Sequence, residues 1–249
     1  MKRGYITLNG IILKQIRYKE SDAILKILTD DRGVISVFCR GGKKLNSSLI
    51  SSTEPLVYGE FTLYRNKEAY NLENFKVQEM FFSLREDFYR ISLAYYLCEI
   101  ASDTASSDET SKDNLRLLLN TLYLLATTDK NMLLIKSVFE LKLSALLGFA
   151  PNLTCCDSCG KFESNYMFLS ISDGVLYCDN CEIGAGEKTP VAVISAMRHI
   201  LYSTLGRSFK FTLGENNLKI LNDRTEKYFL YHSGLSPKTL DYYKKITEK

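Results

Sequence analysis

The chain contains no tryptophan and only two histidines, His199 and His232, each inside a segment that reads as helix. Such isolated histidines read as surface or half-buried helix residues, and they leave the chain without an evident general base. No G-x-S-x-G, Walker loop, G-x-G-x-x-G or H-E-x-x-H occurs. The common signatures of acyl transfer, phosphate-loop binding, dinucleotide binding and zinc proteolysis are therefore missing. No apolar run approaches the roughly 20 residues that a membrane-spanning helix needs. The opening MKRGYITLNGIILKQIR is basic at first, but Thr7, Asn9, Gly10, Lys14 and Gln15 interrupt its apolar residues. That alternation predicts a strand in place of a secretory signal core, and with it a cytoplasmic setting. Together these absences favour a binding protein over an enzyme.

Cysteine is what the chain does have. Four of its seven cysteines, Cys156, Cys159, Cys178 and Cys181, form two C-x-x-C pairs, CDSC and CDNC, eighteen residues apart. Each pair lets two thiolates grip one ion, and two pairs complete a tetrahedral sulfur shell suited to one zinc ion. Two disulfides are the alternative reading, but an odd cysteine count and a reducing compartment favour metal. Cys155 is able in principle to replace its neighbour, although the C-x-x-C register selects Cys156. Cys39 and Cys98 sit among apolar residues and read as small core side chains. A shell of four thiolates is closed, as structural sites are, and leaves no position for an activated water. The H-x-E or C-x-E glutamate and P-C-x-x-C partner of zinc deaminases are also missing.

The net charge of +3 is small, but it is unevenly placed. Residues 1–80 hold 13 Lys/Arg against 9 Asp/Glu, and the remainder is nearly balanced. The excess points to a polyanionic partner for the N-terminal third. That third reads as β-structure. Strands are expected at Ile6–Arg17, Ala23–Thr29, Val34–Arg40, Tyr58–Tyr64 and Ala69–Val77, with turn chemistry at Asp30-Asp31-Arg32-Gly33. In the third, Ile35, Val37 and Cys39 share one face, and Ser36, Phe38 and Arg40 the other. Five such strands suit a closed barrel of the oligonucleotide-binding (OB) kind.

From about Phe82 the period becomes helical. Helices are expected at Phe88–Ala101, Asp113–Ala126, Met132–Leu147 and Asn217–His232, with another opening at Thr189-Pro190 and a short helical turn in the tail. Met132–Leu147 is apolar on nearly every side and reads as the central helix. Within the cysteine segment, YMFLSISDGVLYC reads as a hairpin turning at Asp173-Gly174. The expected class is α+β. A five-stranded OB barrel over 1–80 is followed by an all-α domain over 81–249, with a four-cysteine zinc module inserted at 152–186.

An OB barrel takes nucleic acid across its second and third strands and the neighbouring loops, with stacking aromatics beside a basic groove. The stretch R-G-G-K-K brings Arg40, Lys43 and Lys44 together around two glycines that let phosphates come close. Lys14 and Arg17 end the first strand nearby, and Phe38 shares a strand face with Arg40. Tyr58, Tyr64 and Tyr70 are further stacking candidates. Taken singly, each aromatic also fits barrel packing, and the basic loop also fits plain solvation.

The order of these features resembles the RecO family of bacterial DNA repair and recombination mediators. It comprises Y-x-E-x-D-x-I (Tyr18, Glu20, Asp22, Ile24), T-x-x-x-G (Thr29, Gly33), R-G-G-K-K, L-G-F-A-P-N-L (Leu147–Leu153), the cysteine pairs and the LYHSGL-x-x-K-x-L tail. The resemblance spans essentially the whole chain. It implies binding of single- and double-stranded DNA, annealing of complementary strands, and help from the partner RecR in loading RecA recombinase onto DNA covered by the single-stranded-DNA-binding protein SSB. It also implies a nucleoid-associated protein whose helical domain docks the acidic SSB tail, with Arg116, Lys136 and Lys142 as the cations on the relevant helices. A protein–protein adaptor with a structural zinc and no direct contact to DNA is the alternative reading.

Overall fold

The computed structural model describes residues 4–18, 20, 22–40, 53–66, 69–105, 110–182, 184 and 186–247. Lys43 and Lys44, with the two glycines before them, lie outside the described residues. The chain divides into two compact units, residues 1–127 with 238–249, and residues 128–237.

The first unit opens with β1 (Gly4–Tyr18), β2 (Asp22–Thr29), β3 (Val34–Cys39), β4 (Tyr58–Arg65) and β5 (Tyr70–Glu79). They close into a barrel in the order β1-β2-β3-β5-β4, antiparallel except where β3 runs parallel to β5. That closure is the OB barrel expected from the strand pattern, and it leaves no open edge. Inward residues alternate along each strand. Ile12, Leu25, Ile27, Ile35, Val37 and Leu63 fill the interior, and Phe61 stacks on Phe75 at 4.0 Å. The side-chain alternation of β3 is as expected, with Ile35, Val37 and Cys39 buried.

The T-x-x-x-G motif has a physical reason. Thr29 is fully buried, its hydroxyl accepts from the backbone of Arg32 at 3.0 Å, and its own N–H donates to the Gly33 carbonyl at 2.9 Å. Closing that turn requires a left-handed residue, and Gly33 supplies φ 62°. Ser111 then pins the turn from a helix, donating to the Thr29 carbonyl at 2.6 Å and accepting from the Gly33 N–H at 3.0 Å.

That helix is α2 (Thr110–Thr127), which follows α1 (Phe88–Asp103). Asp87 caps α1, accepting from the N–H groups of Tyr89 and Arg90 at 2.8 and 3.0 Å. Both helices pack on this unit's strands, as does the C-terminal helix α7 (Lys238–Thr247) on α1. The expected helical turn in the tail is thus a full helix. Its N-terminus is held by Glu99, whose carboxylate accepts from the Thr239 N–H at 2.9 Å and from the Thr239 hydroxyl.

The second unit contains α3 (Met132–Leu146), α4 (Val191–Tyr202), the short α5 (Leu205–Ser208) and α6 (Glu215–Ser233). It also holds a four-stranded sheet ordered β6-β8-β7-β9, from β6 (Asn152–Cys156), β7 (Tyr166–Ser170), β8 (Val175–Cys178) and β9 (Glu187–Pro190). The β7–β8 hairpin matches the expected one, but two flanking strands complete the sheet. Pro190 ends β9 and stands at the N-cap position of α4, so the helix begins one residue later than its Thr-Pro opening suggests. The expectation that α3 is central holds, since its residues Ile135, Val138, Phe139 and Leu143 are fully buried. Among the described residues, no helix is long and apolar enough to cross a membrane.

Candidate metal centre and nucleic-acid face

The two cysteine turns are built differently. In the first, which leaves β6, the Cys156 N–H donates to the Lys161 carbonyl at 2.8 Å and the Gly160 N–H donates back to Cys156 at 2.9 Å. In the second, which leaves β8, the N–H groups of Cys181 and Glu182 both donate to the Cys178 carbonyl, at 3.1 and 3.0 Å. Because β6 and β8 are neighbours in the sheet, their ends deliver both turns to one point. The sulfurs of Cys156, Cys159, Cys178 and Cys181 all lie within 4.8 Å of one another. Cys159 and Cys178 are 3.7 Å apart, against about 2.05 Å for a disulfide. A sulfur tetrahedron around a zinc ion with bonds of about 2.3 Å has edges of about 3.8 Å, so the separation fits a shared metal ion.

The thiols also differ in charge preference. Desolvation pushes Cys156 up, but backbone N–H groups of Cys178, Cys159 and Ser158 outweigh it and bring the thiol down to about 6. Sulfur contacts from Cys159 and Cys178 push Cys181 up to about 12. Four sulfurs this close cannot all ionise alone, and a divalent cation is what lets them do so. Cys156 and Cys178 are buried, whereas Cys159 is exposed. Cys155, half-buried, stays outside the group of four.

A residue that carried no sequence signal secures this module. Arg198 of α4 is 9% exposed, and its guanidinium donates to the carbonyls of Leu153 at 2.6 Å, Thr154 at 3.2 Å and Phe162 at 2.8 Å. It also lies over the Phe162 ring at 4.0 Å and beside Glu163 at 3.5 Å. One planar fork thereby ties together backbone on both sides of the first cysteine turn.

On the barrel, the register sorts the expected DNA-contacting residues. Lys14 pairs with Lys26, which pairs with Ser36, and Ile16 pairs with Ile24, which pairs with Phe38. These residues form the outward rows. Tyr18 extends them, meeting the Phe38 ring edge-on at 5.5 Å. Arg17 instead pairs with Ala23, in the inward row that ends at Cys39, and it is exposed at the end of the barrel. Lys14 and Arg17 therefore do not share a strand face. Arg40 is exposed just beyond β3, while Lys43 and Lys44 fall outside the described residues.

The tyrosines divide likewise. Tyr64 is outward and meets the largely exposed Tyr5 at 5.3 Å, and Tyr58 is half-buried on the same strand. Tyr70 packs against the barrel core beneath Arg65 at 5.1 Å, so it is not a free stacking platform.

The three cations assigned to an acidic tail differ in exposure and in their partners. Arg116 is exposed on α2, in the first unit. Lys142, in the second, donates to the carbonyls of Leu201 and Ser203 at 3.1 and 2.6 Å, and its pKa is lowered by desolvation. Lys136 is not available as a surface contact. It is 1% exposed and lies 2.7 Å from Glu140 and 2.8 Å from Glu226, so its charge is already neutralised inside the protein.

Comparison with known proteins gives a consistent picture. The family model for the N-terminal part of recombination protein O matches residues 1–81, and the model for its C-terminal part matches residues 85–241. A protein of Acetivibrio thermocellus described as DNA repair protein RecO is 30% identical over 227 residues, covering 90% of each chain. One of Clostridium perfringens with the same description is 31% identical, covering 96% of this chain and 97% of its own.

Proposed function

Since this chain belongs to the RecO family of DNA repair proteins, we propose that it binds DNA on its barrel, anneals complementary single strands and helps load recombinase on SSB-coated DNA. In this reading RecR is its partner in loading RecA, and the acidic SSB tail is a further contact.

The observation that carries the reading is the outward face of β1–β3, where Lys14, Lys26, Phe38 and Tyr18 stand together beside the exposed Arg40. Lysines and arginines neutralise phosphates and release counterions, which makes binding strong at low salt and weak at high salt. Aromatic faces take bases of any sequence by stacking. Two strands whose mutual repulsion is reduced on one basic surface can search for complementarity and pair. No bond is made or broken, so the reading needs neither nucleophile nor general base. Arg17, Lys43 and Lys44 are further candidate phosphate contacts in the same proposal, with Arg116 and Lys142 as the remaining candidate cations for the tail.

Cys156, Cys159, Cys178 and Cys181 hold one zinc ion in this reading. The ion's part is to offset the mutual repulsion of four thiolates and couple the sheet's cysteine turns to folding. The test of the whole is annealing of complementary oligonucleotides precoated with SSB, across a salt series. Acceleration that fades with salt supports the reading. Tight binding to SSB or RecR with no affinity for any oligonucleotide replaces it with that of an adaptor.

A further inference from the structure

We propose that the cleft between the outer face of β1–β2 and helices α1 and α7 takes one nucleotide unit of single-stranded DNA, phosphate on Lys14 and Lys26, base against Tyr95 and Tyr242. The proposal rests on the reading of the barrel as a DNA-binding surface and assigns that surface a specific pocket.

The cleft lies wholly within the first compact unit and has a volume of about 740 Å³, a size typical of small-ligand sites. Lys14 and Lys26 line one wall, directly opposite each other on antiparallel strands. Like charges at such positions oppose sheet pairing. Among the described residues neither lysine has a carboxylate partner, and Lys26 donates only to the neutral Ser36 hydroxyl, at 2.6 Å. An anion seated between the two ammonium groups turns that repulsion into binding.

The helical wall is different. Tyr95 and Tyr242 line it with 41% and 50% of their surface exposed, and Tyr242 is steadied edge-on by Phe88 at 5.9 Å. Ile16 adds apolar surface on the barrel side. Glu99 also borders the space, but both its oxygens are used at the start of α7, accepting from the N–H groups of Thr239 and Lys238 at 2.9 and 3.4 Å. Asp103 remains on this wall, exposed, with Lys238 as the wall's one cation among the described residues. A carboxylate there repels phosphate and accepts from the amino groups that adenine and cytosine carry. The two walls thus orient a nucleotide, phosphate toward the strands and base toward the helices. An acidic peptide fits less well, because Glu99 and Asp103 both border the space on the helical side, against the single cation Lys238.

The test uses the full chain and fluorescein-labelled dT15 in a salt series read by anisotropy. Replacing both lysines (Lys14→Ala with Lys26→Ala) is expected to weaken binding about tenfold and to flatten the log–log salt slope by about 0.7 for each phosphate no longer neutralised. Tyr95→Leu with Tyr242→Leu is expected to weaken it roughly tenfold with the slope unchanged, and Tyr→Phe at both positions to restore it. The unfolding midpoint of the lysine variant should be unchanged or higher, since a repulsion is removed, which separates impaired binding from impaired folding. An oligonucleotide carrying 5-iodouracil should crosslink to peptides containing Tyr95 or Tyr242. If Lys43→Glu with Lys44→Glu weakens dT15 binding while the lysine and tyrosine variants bind as wild type does, the cleft is wrong and the basic loop stands. If the unaltered protein binds no oligonucleotide, the reading of the barrel fails first. Binding of an acidic nonapeptide that disappears in the lysine variant, with dT15 binding intact, overturns the proposal in favour of a peptide.

Discussion

The ammonium of Lys136 on α3 meets the carboxylate of Glu226 on α6 at 2.8 Å, both in the protein interior. Glu140, one turn along α3, takes the same ammonium at 2.7 Å, and Thr225 donates to its other oxygen at 2.9 Å. One cation therefore bridges two buried carboxylates. Removing it with Lys136→Ala should cost about 3–5 kcal/mol of stability, because the carboxylates are left unpaired. Replacing all three charges by apolar residues of similar volume should recover most of that loss. Urea unfolding of the single and triple variants checks the pair of expectations.

Purified under reducing conditions, the protein should carry one zinc per chain by elemental analysis. Cys156→Ser or Cys178→Ser should abolish it and lower thermal stability and solubility, because both sulfurs are buried in the cluster and metal binding is coupled to folding. Cys155→Ser should keep full zinc content. Retained metal in the Cys156 variant together with loss in the Cys155 variant would reverse the assignment of those two neighbours.

Arg198→Lys should loosen the cysteine module even though the charge is kept. An ammonium cannot reproduce a planar fork that reaches the carbonyls of Leu153, Thr154 and Phe162 together. A loss of about 2 kcal/mol is expected, with faster transfer of zinc to a chelator, while oligonucleotide affinity stays as it is. Equal chelator rates for the variant and the parent would remove Arg198 from this role.

Charge reversal of the basic loop, Lys43→Glu with Lys44→Glu, should weaken oligonucleotide binding more than tenfold at low salt. Its salt dependence should fall by about 0.7 for each phosphate of a single strand that is left unneutralised. Anisotropy at several salt concentrations reads both quantities. Unchanged affinity would take the loop out of the DNA-binding surface.

Tyr228 and Gly174 constrain each other at the tip of the β7–β8 hairpin. Gly174 has φ +68°, and a Cβ there would stand 2.8 Å from the Tyr228 hydroxyl. Gly174→Ala should therefore destabilise, and Tyr228→Phe should relieve the contact while leaving the backbone strain. Burial pushes the Tyr228 hydroxyl up to about 12. Folded protein then keeps a proton that the unfolded chain releases near the ordinary value of 10, so stability falls as pH rises from 10 towards 12. Tyr228→Phe should flatten that part of the stability profile, measured by thermal unfolding in alkaline buffers.

Much of the architecture was legible. The β strands of the barrel announce themselves by period-two alternation, and α3 by apolar residues around its whole circumference. The strands β6 and β9 were not, since NLTCC and EKTP are four or five residues long and carry ligands and charges where apolar residues would mark a strand. The helix α7 is polar enough to read as a tail, and only its packing on α1 through Leu240 and Tyr243 makes it a helix. In the metal site the four cysteines were legible, but Arg198, which braces them, was not. Its partners are carbonyl groups up to 45 residues away, and every residue type has a carbonyl.

By itself the sequence determined what is encoded over a few bonds: which four thiols pair by C-x-x-C spacing, which segments alternate and which turn every 3.6 residues. Tertiary structure decided which charges remain available. Strand register placed Lys14 beside Lys26 and turned Arg17 to the other row, and helix packing enclosed Lys136 between two carboxylates. A charge acts through space, and its neighbours in space are chosen by long-range pairing that no local pattern records.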